Sequence, residues 1–204
     1  GDIKFGALYK AYNSADKSHN VIIDAVLSAP TGSITDEDTQ LAPDGTRPTA
    51  RLPYGMQLGS GTWDALVGAA YWGKEKKWGW GAQYLATIPL ESENSEGWRY
   101  GDKHEVTTWL SYAWEPELNA NVRLRHESQG EIEGIDPKIY GPGLGADPDN
   151  YGGTRTELAL GANWMYAPAH NISIEIAKPI AQDSNGVQLE HDQSIMVSWR
   201  NAFF

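Results

Sequence analysis

The chain has 204 residues, with 22 Gly, 9 Trp and 10 Tyr against only 3 Phe, no Cys, and a formal net charge of −11. That charge speaks against a nucleic-acid partner, which needs a basic face to displace phosphate counterions, and the missing cysteines exclude disulfides, thiol catalysis and Cys-ligated zinc. A mean hydropathy of −0.51 argues against a helical membrane protein, and the longest nearly apolar run, residues 65–72, is far short of the ~20 residues a spanning helix needs. No Walker or dinucleotide glycine fingerprint occurs, and nothing calls for a cofactor. A transmembrane β-barrel stays open, because its strands are half polar by construction.

Residues 2–12 alternate, with Ile3, Phe5, Ala7 and Tyr9 on one face and Asp2, Lys4 and Lys10 on the other, which predicts a strand with one apolar face. Turn chemistry over 13–18 leads to a return strand over 19–29, apolar at Val21, Ile23, Ala25 and Leu27. A long polar connection, 30–61, follows. Trp63, Ala65, Val67, Ala69 and Tyr71 then share a face, the turn is 73–77, and Trp78, Trp80, Ala82, Tyr84, Ala86 and Ile88 return. After a second long connection, 91–102, come Val106, Thr108, Leu110, Tyr112 and Trp114, the tight turn 115–117, and Leu118, Ala120, Val122 and Leu124. The third long connection covers 132–153. Leu158, Leu160, Ala162 and Trp164 follow, then a turn over 166–170, then Ile172, Ile174 and Ile176. Residues 182–190 link to a last strand over 192–204, with Ile195, Val197, Trp199 and Phe203 on one face and Ser194, Met196, Ser198, Arg200 and Ala202 on the other. Phe204 is out of phase with both.

The terminal stretch alone fits either a buried last strand of a soluble sandwich or the final strand of an outer-membrane barrel. The spacing favours the barrel. Short and long links alternate, as periplasmic turns and extracellular loops do, and segments of about ten residues match the ~9–11 that cross a bilayer when tilted. The expected fold is an all-β, antiparallel up-and-down transmembrane β-barrel with about nine strands in one domain over residues 1–204. Bacterial barrels have even strand numbers, so the expectation is that an odd number of N-terminal strands precedes Gly1, which opens no secretory signal.

Four stretches carry a resemblance: Gly1-Asp-Ile-Lys-Phe-Gly-Ala-Leu-Tyr-Lys10, Arg51-Leu-Pro-Tyr-Gly-Met-Gln-Leu-Gly-Ser-Gly-Thr62, Trp78-Gly-Trp-Gly-Ala-Gln-Tyr84 and Asp147-Pro-Asp-Asn-Tyr-Gly-Gly153. Together they resemble the outer-membrane transporter-like family labelled for a meta-pathway of phenol degradation. The resemblance spans the whole chain. It implies a barrel of about twelve strands of which these are the last nine or so, a place in the bacterial outer membrane, and passage of small, hydrophobic or aromatic solutes. The aromatic terminus resembles the signal read by the barrel-assembly machinery, so the implied partners are that machinery, the lipid bilayer and a small-molecule solute. No substrate-binding residue carries over.

The polar faces hold Lys4, Asp64, Glu105, Arg123, Arg125, Glu127, Arg155, Glu157, Glu175 and Arg200. Ionised groups avoid hydrocarbon, so these are expected to line the lumen, with a cross-strand ladder between 123–127 and 155–157. Two roles fit that set: an eyelet that selects solutes, or a salt-bridged plug filling a narrow barrel. The matching functions are a passive channel or transporter, or a non-conducting barrel that acts through its extracellular loops. Residues 51–62 fit an ordered constriction loop or a plain surface loop. The acidic stretches 35–39 and 147–150 offer oxygen ligands but lack EF-hand spacing, and solvated loops are the commoner reading. The five histidines show no metal-ligand spacing, and Ser111 with His126 is the only nucleophile–base pairing to entertain, with His126 in phase with the lipid-facing side. No enzyme is expected.

Overall fold

The computed structural model describes residues 1–39, 41 and 44–201. Nine long strands form one antiparallel sheet in which each pairs with the next of the nine along the chain: β1 (Ile3–Asn13), β2 (His19–Ala29), β5 (Asp64–Glu75), β6 (Trp78–Pro89), β8 (Lys103–Glu115), β9 (Leu118–Gln129), β11 (Gly153–Ala167), β12 (His170–Ser184) and β13 (Ser194–Asn201). Four short elements sit in the connections: β3 (Glu37–Thr39), β4 (Thr49–Arg51), β7 (Trp98–Arg99) and β10 (Glu133–Gly134). The sheet is open, with β1 and β13 at its two edges.

All four short turns lie at one end of the sheet and the long connections at the other. Lys17, Lys76 and Ala169 take left-handed φ values of 58°, 53° and 64° to close three of those turns. In the first, the Asp16 carboxylate accepts from the Ser14 hydroxyl at 2.6 Å and the Ser18 hydroxyl at 2.8 Å, which is the local hydrogen bonding that Ser and Asp bring to turns.

Register makes the alternation continuous across strands. One row pairs Val122 with Leu160 and Leu160 with Ile176, which pairs with Ile195. These large apolar residues point outward: Leu160 is 63 % exposed, Val197 66 % and Trp199 69 %. A sheet leaving such a face in water would aggregate, whereas hydrocarbon covers it without penalty. Near the short turns the same face carries touching aromatics, among them Trp78–Tyr112, Tyr112–Trp114 and Trp164–Tyr166, and the Trp199 indole donates to the Tyr166 hydroxyl at 2.8 Å. Polar groups interrupt this face toward the long connections, at Lys178 beside Leu158 and at the His126–Thr156 pair.

Several boundaries differ from the sequence expectation. The turn expected over 166–170 is only 168–169, because β11 runs on to Ala167. The link expected over 182–190 begins later, because β12 continues through Ser184, with a bulge at Ile180 between the Thr156–Ala181 and Glu157–Pro179 pairs, next to Pro179, which lacks an N–H for the ladder. The last strand starts at Ser194. The expectation for Ala202, Phe203 and Phe204 lies outside the described residues.

Glycines on the polar face make room for neighbours. The Trp109 indole of β8 lies over Gly81 of β6, so close that an added Cβ would come within 2.1 Å of the ring. Gly81→Ala is therefore expected to displace Trp109 and destabilise the sheet by about 1–3 kcal/mol, the usual range for overpacking, read as a lower denaturant midpoint for unfolding from lipid vesicles. An unchanged midpoint would show that the ring moves freely.

Candidate functional site

The polar face of β8, β9, β11 and β12 gathers most of the charged residues expected there into one network. Arg125 is its hub. Its guanidinium donates to Glu105 at 2.6 Å, to Glu127 at 2.6 Å and to Glu157 at 3.2 Å. Glu127 also takes Lys103 at 3.0 Å. Arg123 reaches past Ala159 to the β12 carboxylate of Glu175, with contacts of 2.5 and 3.2 Å. The expected ladder is present, since Arg125 sits opposite Glu157 and Glu127 opposite Arg155. Period-two spacing brings these groups to one face, and antiparallel register sets opposite signs side by side.

Three expected members stand apart. Lys4 is exposed on the edge strand β1, across from Ser28. Asp64 is buried at the start of β5, where the Thr62 hydroxyl donates to it at 2.6 Å. Arg200 is exposed near the end of β13, across from Asn171. Ser111 and His126 lie on opposite faces: the Ser111 hydroxyl donates to the Gly79 carbonyl at 3.1 Å, while the His126 ring pairs with the Thr156 hydroxyl at 2.9 Å. They form no nucleophile–base pair. The carboxylate of Asp147 accepts from the Asp149 N–H at 3.1 Å and so caps a single 3-10 turn.

The second assembly, at the long-connection end, was not foreseen. Connections 30–63, 90–102 and 130–152 fold together around a buried cluster of Ile34, Tyr54, Trp98, Ile132 and Ile139. The rings of Tyr54 and Trp98 meet edge to face at 4.9 Å, and β7 pairs with β10 to join two of the connections. Residues 51–62 are thus an ordered part of a cap, with Arg51, Tyr54, Ser60 and Thr62 buried. Arg51 is the polar centre. It donates to Asp136 at 3.0 Å, to Glu96 at 3.3 Å and to the Ile34 carbonyl at 3.3 Å, and Asp136 is fully buried. Lys138 adds a 2.9 Å bond to Glu96. The Tyr100 hydroxyl, donating to the Tyr54 carbonyl at 2.8 Å, has its pKa pushed up to about 12 by burial and by negative charge at Tyr151 and Asp2. Asp2 anchors the cap to the start of β1. Burial works against its charge, but the Ser60 and Gly32 N–H groups outweigh that and hold its carboxyl below the usual range.

Comparison with known proteins agrees with this architecture. Neither the protein-family profiles nor the curated proteins give a match. Among solved structures, the crystal structure of an outer-membrane channel from Pseudomonas putida F1 superposes with a TM-score of 0.63 at 16% identity, over 98% of this chain and 64% of that one. The chain therefore spans 64% of the length of that channel, and the likeness at this identity is one of fold. The shared fold is that of an antiparallel, up-and-down transmembrane β-barrel.

Proposed function

We propose that the chain forms part of the wall of a bacterial outer-membrane channel for small solutes, with its apolar face toward lipid and its polar face toward the lumen. The observation that carries this reading is the segregation of the sheet. Arg123, Arg125, Arg155 and their carboxylates occupy one face, while the other exposes Leu160, Val197 and Trp199. Charged groups are expensive against hydrocarbon and cheap in a wet lumen. The unpaired outer edges of β1 and β13 support closure through strands beyond these nine. The resemblance to the phenol-pathway transporter-like family extends the proposal to hydrophobic or aromatic solutes, and to assembly through the C-terminal strand.

Planar-bilayer recording tests the reading. The protein is expected to conduct, and Arg123→Gln combined with Arg125→Gln is expected to shift its reversal potential toward cation preference, because the lumen wall loses two positive charges. Unchanged selectivity would mean that the network is a plug. The ordered cap favours one alternative, a non-conducting barrel whose loops are the working surface. A folded protein that stays electrically silent would select that alternative.

A further inference from the structure

Arg155 stands apart from the other charged members of the network. Arg125 draws the short bonds of Glu105, Glu127 and Glu157, whereas Arg155 is left with Glu127 at 3.7 Å and Glu157 at 3.5 Å, both beyond hydrogen-bonding distance. Its side chain is 19 % exposed, and its Nε is buried without a hydrogen-bond partner among the described residues. A guanidinium offers five N–H donors in a planar fork, and a buried Nε–H left without a partner is costly.

The same side chain lines two cavities, of about 270 Å³ and 370 Å³, that also share His191. The larger falls within the ~300–1,000 Å³ typical of small-molecule sites. Gln182 borders the first cavity, and its Oε1 accepts from the His191 N–H at 3.4 Å, which leaves its NH2 free to donate. Leu189 lines the first cavity beside Glu127 and Asp183, and Met196 and Pro179 line the second beside Glu157 and Glu175, whose charges Arg125 and Arg123 already engage. Toward the short turns, the polar-face cations are Lys10, Lys74 and Arg200. None of the three has an ion pair among the described residues.

We propose that Arg155, with Gln182 and His191, forms a binding site for a small organic monocarboxylate, its carboxylate on the guanidinium fork and its apolar part against Leu189 and Met196. The carboxylate suits the fork geometrically, and the apolar neighbours separate an organic acid from a bare inorganic anion. The proposal rests on the reading of the polar face as a lumen.

The test is calorimetric titration of the full chain in detergent micelles with hexanoate, hexanamide and inorganic phosphate. Hexanoate is expected to bind saturably, hexanamide and phosphate much more weakly, and Arg155→Gln to weaken hexanoate roughly tenfold, the loss of one charge-assisted pair. Lys17→Gln, in the turn between β1 and β2, is expected to leave that affinity unchanged. Gln182→Leu keeps the ion pairs intact, and so serves if Arg155→Gln fails to fold; a roughly threefold loss is expected there. Equal binding of hexanamide or phosphate, or hexanoate affinity unmoved in both variants, overturns the site. Bilayer recording separates this from the channel reading: a silent barrel that binds hexanoate through Arg155 removes the channel and keeps the site, and a conducting one without that binding does the reverse.

Discussion

Replacing Arg51 with alanine is expected to take the loop cap apart while leaving the nine-stranded sheet paired. Asp136 is fully buried, and its carboxylate meets the Arg51 guanidinium at 3.0 Å and accepts from the Lys138 N–H at 2.8 Å. Removing the cation strands a carboxylate where water cannot solvate it, a loss of about 3–5 kcal/mol for breaking a buried pair from one side. The cap has a small apolar cluster to resist that loss, since Ile34, Tyr54, Trp98, Ile132 and Ile139 are its buried centre. Amide hydrogen exchange should therefore accelerate over 91–99 and 130–140 and remain slow in β9 and β11. Arg51→Met combined with Asp136→Leu removes both charges and should recover most of the protection, because the penalty comes from the uncompensated partner. Equal exchange in wild type and Arg51→Ala would mean that the cap stands on its aromatic packing alone.

The same assembly has an acid limit. Lys138, by hydrogen bond and charge, and Arg51 hold the Glu96 carboxyl below its ordinary value of 4.5. A carboxyl whose folded pKa is depressed contributes stability that is fully present above its unfolded value and is lost as pH falls through the folded one. Protease resistance of the cap is thus expected to be constant from neutral pH down to about 5 and to decline below the ordinary carboxylate range. Glu96→Gln should flatten that decline.

The wall was legible in the sequence and the cap was not, for a physical reason. A strand crossing a bilayer must turn every second side chain toward lipid, so Val122, Leu160, Ile176 and Ile195 appear at a fixed period and can be assigned to a face without knowing their partners. Register then follows from short links, and the Arg125–Glu157 contact follows from register. Ile34, Tyr54, Trp98 and Ile139 share no period. They come from three connections far apart in the chain, and what unites them is a fold that local spacing does not encode. One sign was available: Trp98 and Tyr54 are large apolar rings in segments otherwise rich in Gly, Pro and Asp, and such rings seldom stay in water. Arg123 shows the opposite limit. Its charge and face were evident, but its partner Glu175 lies two strands away, reachable only because small Ala159 stands between them.

Arg125→Met is expected to destabilise the wall itself. The guanidinium satisfies Glu105, Glu127 and Glu157 together, and its loss leaves three carboxylates crowded, with Lys103, Arg123 and the more distant Arg155 to offset them. At 24 % exposure the site is partly wet, so the expected penalty is about 2–4 kcal/mol, below that of a fully buried pair. It should appear as a lower denaturant midpoint for unfolding from vesicles, with faster unfolding. Arg123→Met should cost less, because it releases the single partner Glu175. If repulsion among stranded carboxylates is the cause, adding Glu105→Gln to Arg125→Met must restore part of the loss, whereas Glu105→Gln alone should weaken the wild-type network. Midpoints that simply add would instead assign the effect to lost packing of the Arg125 stem.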